Sequence, residues 1–320
     1  MSLPYEFGFA PMRHTVFCVL SVLITIVLAL VSLRYFTDFW LLSLVYSFQI
    51  HLSIICAIGA VVAVFFKRHW YGFVMLAVAT FLNIHGVIML REFAGKMPAE
   101  DAPRLFRLMS FNIEFDNFGN AEKIADAVLA SGADVVDIME AQPVFSQLPR
   151  LAQIYPYRIG CDTSDACDTL VLSKRPFAAH KVYDLGALWK QRLVSTKIDF
   201  DGTWVDFLFP HLTKPYFDDF QADELVELKA IMQSRTGALV VAGDFNSAIL
   251  APTIQEFLRG TGLTTAFPEP TTWPVAAGPF GISIDHIFAR PPLLIRSTSR
   301  LDDSFGSNHY GLVSDFVREY

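Results

Sequence analysis

The chain lacks charge at one end and lacks basic residues at the other. Only 18% of its 320 residues are charged. Residues 15–33, 39–66 and 70–90 carry none at all. Such runs exclude an ordinary water-exposed surface, because about 20 apolar residues suffice to cross the hydrocarbon core of a bilayer. The mean hydropathy of +0.39 has its excess here. Three transmembrane helices are therefore expected. No internal repeat or low-complexity tract is present, which excludes a solenoid or a disordered polymer.

Cysteine is scarce as well. Of the four, Cys18 and Cys56 fall in the apolar runs and read as packing residues. Cys161 and Cys167 share one short polar segment, either as a local disulfide, which would suit an oxidising compartment, or as two loop thiols. The first apolar run is longer than the roughly 7–15 residues of a signal-peptide core and is followed by Arg34-Tyr35-Phe36 rather than a small-residue cleavage site. An uncleaved anchor is expected. Basic residues set topology, and with the N-terminus inside, Arg13 and Lys67-Arg68 face Arg34, Arg91 and Lys96 across the bilayer. The two sides nearly balance. Together with the cysteines, this predicts a multi-pass protein of a bacterial-type inner or plasma membrane, its C-terminal domain extracytoplasmic.

From residue 105 onward there are 18 Lys and Arg against 27 Asp and Glu. Tight general nucleic-acid binding draws on lysines and arginines that neutralise phosphates, and this excess of nine negative charges counts against it. The expected organisation is a membrane region over residues 1–91, a linker over 92–104 containing Gly95, Pro98 and Pro103, and a folded domain over 105–320. Polar side chains inside the apolar runs (Gln49, His51, Asn83, His85) are either functional or simply hydrogen-bonded between helices.

Within the folded domain, strand and helix patterns alternate. Strands are predicted over 107–112, 133–139, 238–242, 282–289 and 312–317, with helices over 121–130, 217–233 and 253–259. Two extended runs, 192–200 and 203–210, flank Asp201-Gly202, a strong hairpin signal. Hairpins together with crossovers predict mixed sheets covered by helices.

Several polar residues stand at the ends of these strands. Asn112 closes Ser110-Phe111-Asn112, and Glu140 ends an apolar strand, where a carboxylate is costly unless paired. Gly243-Asp244-Phe245-Asn246 follows a Val-Val strand. His211 ends another strand. Asp285 and His309 suit a carboxylate–imidazole pair in which the acid fixes the tautomer and the free nitrogen acts as base. Hard divalent cations such as Mg²⁺ use one or two carboxylates with water and substrate phosphate. Each stretch alone also reads as an ordinary strand end or turn. His286, alternating away from Asp285 along a strand, reads as structural, and His180 as a surface residue.

As an ordered set, these stretches resemble the endonuclease/exonuclease/phosphatase superfamily. The set also includes Leu170-Val171-Leu172-Ser173-Lys174-Arg175-Pro176, Thr272-Trp273-Pro274 and Ser307-Asn308-His309. The resemblance implies a mixed α/β fold, a four-layer α-β-β-α sandwich, and a Mg²⁺-dependent (Mn²⁺ as an alternative) phosphodiesterase or phosphatase. Glu140 would be the metal ligand with Asn112 beside it, and Asn308 would keep an oxygen ligand. Asp244 and Asn246 would position water and phosphate, His211 would stabilise the phosphate, and His309 with Asp285 would form the dyad. Two positions depart from the pattern: Met139 stands where Gln precedes the metal Glu, and Asn308 where Asp precedes the catalytic His. The expected partners are the lipid bilayer and a phosphoester, whether nucleic acid, phospholipid headgroup or small molecule, with no protein partner. A non-catalytic, membrane-tethered sensor domain on the same fold is the rival reading.

Overall fold

The computed structural model describes residues 9–164 and 167–319, which divide into two compact units after Glu92. The first unit contains three helices long and apolar enough to cross a membrane: Met12–Tyr35, Gln49–Phe66 and Trp70–Glu92. They belong to α1 (Phe9–Ser32, continued by a 3₁₀ turn), α3 (Gln49–Phe66) and α4 (Trp70–Glu92), with the short α2 (Ser43–Ser47) between the first two. The second charge-free run is thus not one helix. A 3₁₀ turn at Trp40–Leu42 leads into α2, and the chain bends at Phe48 (φ −91°, ψ 13°) before α3 begins. Gln49 is held there, accepting from Arg34 Nη1 at 2.5 Å and donating to the Leu82 carbonyl at 2.7 Å.

The other polar residues of this unit also join helices. Asn83 Nδ2 donates to Ser53 Oγ at 3.2 Å, and His85 Nδ1 pairs with the Tyr35 hydroxyl at 2.8 Å. His51 stacks edge-on against Phe48. Cys56 is buried among the helices, whereas Cys18 is exposed beside His14.

The second unit holds two mixed sheets. In chain order its strands are β1 (Phe106–Asn112), β2 (Val135–Met139), β3 (Tyr157–Ile159), β4 (Thr169–Ser173), β5 (Phe177–Leu185), β6 (Trp189–Phe200), β7 (Thr203–Pro210), β8 (Leu239–Asp244), β9 (Asp285–Arg290), β10 (Leu293–Arg300) and β11 (Leu312–Arg318). One sheet runs β10-β11-β1-β2-β4-β3, the other β5-β6-β7-β8-β9. Among the described strands, β1–β2 and β7–β8 are the parallel pairs. The helices are α5 (Ala121–Ala130), α6 (Leu148–Leu151), α7 (Phe220–Gln233) and α8 (Pro252–Thr261).

Alternation along each strand decides which core a residue enters. Leu108 and Val135 join Val194, Phe207, Val240 and Ile287 in the core between the sheets. Their neighbours Met109 and Val136 face the other way, onto Ile124 and Val128 of α5 and Leu151 of α6. Phe106 anchors the inter-sheet core, stacked at 4.5 Å on both Phe200 and Phe316. On the far side α7 buries Leu225, Leu228 and Met232, while Phe257 of α8 lies against Phe245. Helix, sheet, sheet and helix layers are the arrangement expected from the sequence.

The topology gathers strand ends. Parallel β1 and β2 place Asn112 level with Met139. Parallel β7 and β8 finish together, and His211 bridges to Asp244, which is paired with Asp285 at the start of β9. The two sheets touch here through Met139, whose thioether accepts from the Asp244 N–H at 3.0 Å.

Candidate active site

Asn112, at the end of β1, is buried and donates through Nδ2 to two carboxylates: Asp244 Oδ2 at 3.0 Å and Glu140 Oε1 at 3.2 Å. Its own Oδ1 accepts from the Glu114 N–H at 3.1 Å. One amide thus sets the separation of two acids that would otherwise repel. Glu140 leaves β2 with φ of 54°, a left-handed conformation that costs a residue with a Cβ about 1–3 kcal/mol and tends to occur at working sites. The turn aims its carboxylate back, where Oε2 accepts from the Phe115 N–H at 2.7 Å.

Asp244 ends β8. Gly243 before it is required by close approach rather than by a turn, because a Cβ at that position would lie 2.0 Å from the Pro210 carbonyl oxygen. Asn246, at φ 50°, donates its N–H to Asp244 Oδ1 at 2.7 Å and its side-chain amide to the Leu212 carbonyl at 2.9 Å. Asn tolerates this left-handed geometry better than most residues. Asn246 therefore locks Asp244 to the segment carrying His211.

His309 Nδ1 lies 2.9 Å from Asp285 Oδ2, and its Nε2 points toward Asp244 Oδ2 at 3.9 Å. Ser307 fixes the loop, accepting from the His309 N–H at 3.0 Å and donating to the Asn112 carbonyl at 2.7 Å. His211 Nε2 is 3.8 Å from both Glu140 Oε1 and Asp244 Oδ2. Seven of the eight expected residues thus converge: Asn112, Glu140, His211, Asp244, Asn246, Asp285 and His309. The eighth, Asn308, is exposed, and among the described residues its side chain makes no hydrogen bond to the cluster.

The electrostatics follow from crowding acids in a buried cleft. Burial raises the Asp244 carboxyl, and the Asp285 carboxylate raises it further, against the pull of His309 and His211. Burial alone would lower the His309 imidazole, but the negative charges of Asp285, Asp244 and Glu140 outweigh it and push it up to about 9. The site is therefore built for more positive charge than its own residues supply. Asp244, Asp285 and His309 bring potential ligand atoms within 4.8 Å of one another. Asp285 Oδ1 is buried without a hydrogen-bond partner among the described residues. Hard oxygen donors with an orphaned carboxylate oxygen fit a divalent cation.

Two contributions were not visible in the sequence. Asp168, just after the Cys161–Cys167 disulfide, lies 3.4 Å from His211 Nδ1 and 3.5 Å from Arg192 Nε. Burial would raise its carboxyl, yet His211 and Arg192 hold it below the usual carboxylate range. Its backbone carbonyl accepts from the Ala141 N–H at 2.9 Å, which ties it to the turn bearing Glu140. The second contribution is Glu224 of α7, buried behind the cleft. It accepts from both the N–H and the hydroxyl of Thr213, each at 2.6 Å. Gln221 then bridges the Thr213 and Phe245 carbonyls, both at 2.8 Å. A helix without catalytic residues thereby braces both site-bearing loops. Glu224→Ala leaves two buried donors unpaired and is expected to cost roughly 2–4 kcal/mol, read as a fall in unfolding temperature, with Glu224→Gln losing less. His286, by contrast, is fully occupied between Glu269 and the Ser247 carbonyl, each at 2.9 Å, and serves the scaffold.

The sequence model of the Endonuclease/Exonuclease/phosphatase family matches residues 109–315. No curated protein shows significant sequence similarity to the chain. Similar solved structures include D. rerio TDP2 complexed with single strand DNA product (18% identity, TM-score 0.56, covering 66% of this chain and 98% of that one). The human Nocturnin catalytic domain is similar at 20% identity and TM-score 0.54, covering 68% and 96%. Sphingomyelinase C from Streptomyces griseocarneus is similar at 15% identity and TM-score 0.51, covering 67% and 99%.

Proposed function

The chain belongs to the endonuclease/exonuclease/phosphatase family, and on that premise we propose that it is a membrane-anchored, divalent-metal-dependent phosphoesterase. One observation carries the reading: the Asp285–His309 pair directed at Asp244, in the cleft that also holds Glu140, Asn112 and His211. Glu140, with Asn112 beside it, would hold Mg²⁺ or Mn²⁺, Asn308 being exposed outside the cluster, and Asp244 and Asp285 lie within the same acidic set. The cation supplies charge neutralisation and orientation of the phosphoryl group. The remaining work belongs to the protein.

His309, whose imidazolium form Asp285 and Asp244 favour, would act as base in its neutral form, with Asp285 remaining an ionised carboxylate. Its Nε2 then takes a proton from water while Asp285 keeps the Nδ1 proton and the tautomer in place. The oxygen of that water bonds to phosphorus as the opposite P–O bond breaks, the leaving alkoxide takes a proton from solvent, and His309 returns its proton to solvent to restore the base. His211, oriented by Asp168, and Asn246 offer donors to the equatorial oxygens.

The three apolar helices support membrane anchoring, and the Cys161–Cys167 disulfide supports an oxidising, extracytoplasmic side for the domain. The acidic balance of the domain and its short tether favour a phospholipid headgroup or small phosphoester over nucleic acid. A sphingomyelinase and a DNA-bound protein are both among the similar structures, so a panel should include both substrate classes. The full chain in detergent is expected to hydrolyse bis(p-nitrophenyl) phosphate with Mg²⁺ or Mn²⁺, to lose turnover in EDTA, and to regain it on metal addition. Plasmid DNA, RNA, sphingomyelin and inositol phosphates then rank the substrates. The exposed Asn308, which brings no negative charge beside His309, favours a second reading as a non-catalytic sensor. Calorimetry with no Mg²⁺ or Mn²⁺ binding, together with no turnover, would select it.

A further inference from the structure

Ser247 ends the short segment that begins with Asp244, and it is held from two sides. Its hydroxyl donates to Gln221 Oε1 at 3.0 Å, and its carbonyl accepts from His286 Nε2 at 2.9 Å. A carbonyl only accepts, so Nε2 carries the proton. The other ring nitrogen, Nδ1, lies 2.9 Å from Glu269 Oε1. Phe288 stacks on the imidazole at 5.1 Å and Phe245 meets it edge-on at 5.5 Å, which confines the ring to one plane. His286 and Ser247 are both buried. Asn246 stands between Asp244 and Ser247 with its N–H on Asp244 Oδ1, so a shift of Ser247 is passed to the Asp244 carboxylate.

The chain of contacts continues away from the cleft. Glu269 Oε1 also accepts from Thr265 Oγ1 at 2.9 Å. The Thr265 N–H donates to the Phe93 carbonyl at 2.9 Å, and the Thr265 carbonyl accepts from the Gly95 N–H at 2.8 Å. Phe93 is buried, with the Arg259 guanidinium 5.8 Å from its ring centroid, and it directly follows Glu92, the last residue of α4. Apolar side chains of similar volume would serve stability about as well as a buried carboxylate–imidazole pair. What the polar chain adds is direction, since each bond orients the next group.

We propose that Glu269 and His286 are positioning residues for residues 244–247, and that Thr265 and residues 93–95 complete the support. The catalytic loop is then held from the point where the domain joins the third apolar helix. The proposal rests on the phosphoesterase reading for its effect on turnover, but its effect on the loop can be measured without turnover.

The test joins two readouts on the full chain in detergent: kcat and KM for bis(p-nitrophenyl) phosphate with Mg²⁺, and amide hydrogen exchange of residues 245–248 in EDTA. Glu269→Ala is expected to lower kcat by roughly 10- to 100-fold, as loss of outer-shell support does, with KM little changed, and to speed exchange of the segment. Glu269→Gln keeps an acceptor for His286 and Thr265 and should restore most of both. Thr265→Val loses the side-chain link while keeping the backbone pairing, and Gly95→Pro does the reverse; each should show the same two changes to a smaller degree. Adding Thr265→Val to Glu269→Ala should add nothing, because both remove one contact. A fall in unfolding temperature with kcat and exchange both as in wild type would mean a merely structural role and overturn the proposal, and Thr265→Val decides the matter if Glu269→Ala does not fold. Wild-type behaviour of Gly95→Pro alone would remove residues 93–95 from the support. Absence of turnover in wild type, with exchange still faster in the variants, would count against the phosphoesterase reading and leave the support of the loop standing.

Discussion

His309→Ala is expected to lower kcat for metal-dependent phosphodiester hydrolysis by about 10³-fold or more, within the range that positioned general acid–base groups supply. The side chain is buried, and its ring is fixed by Asp285 at 2.9 Å on one nitrogen and directed at Asp244 on the other. Alanine removes the proton acceptor without disturbing strand pairing, so circular dichroism of the variant should match wild type. Asp285→Asn keeps the shape but replaces an acceptor with an amide. It should also lower turnover, and it should move the acidic limb of the pH profile, where the His309 base loses its proton, because Asp285 is the leading influence that raises the His309 imidazole. Stability of the metal-free protein gives an independent check. The folded imidazole titrates near 9, above an unfolded value of about 6.5. Its contribution is therefore fully present below pH about 6.5 and is lost as pH rises through about 9. His309→Ala in EDTA should lack that decline. Wild-type-like turnover by the alanine variant would remove His309 from the mechanism.

The residues of the cleft were legible wherever the local sequence states its own geometry. Asn112, Glu140 and Asp244 each close an apolar strand, and Asp201-Gly202 announces the β6–β7 hairpin, where both residues take positive φ (54° and 88°). What escaped is what depends on partners distant in sequence. Asp168 follows a short polar segment with no pattern to mark it, and it gains meaning only when the disulfide and the Ala141 N–H bring it under His211. Strand β5 shows almost no alternation of burial because it is an exposed edge strand. Its pairing with β6 defines it, not its pattern. Gly243 reads as a turn residue, yet the requirement is the Pro210 carbonyl packed against it. The break at Phe48 was hidden for a related reason: nothing in an apolar run marks where a glutamine will be drawn to an arginine and a carbonyl on other helices.

Asp137→Asn is expected to flatten how the stability of the domain depends on pH above about 4. Asp137 sits in the middle of β2, opposite Ser110, and is wholly buried. Oδ2 accepts from Ser110 Oγ at 2.9 Å, while Oδ1 has no partner among the described residues. Burial pushes this carboxyl well above the usual range. The Ser110 bond opposes that rise, while the negative charges of Asp168 and Asp285 add to it. The folded state thus holds a proton that the unfolded chain releases above pH about 4. Stability from this group is complete below that point and falls by up to about 1.4 kcal/mol per pH unit as pH rises toward the folded value. Denaturant titrations at several pH values above 4 should show that decline in wild type and a flatter dependence in Asp137→Asn. A parallel dependence in the two proteins would mean that Asp137 is ionised in the fold. The expected result also bears on the site. A neutral Asp137 adds no charge three residues before Glu140, beside a cleft that already holds Asp168, Asp244 and Asp285. The domain can then keep an acid in its core without adding to the repulsion that the cleft carboxylates must already withstand.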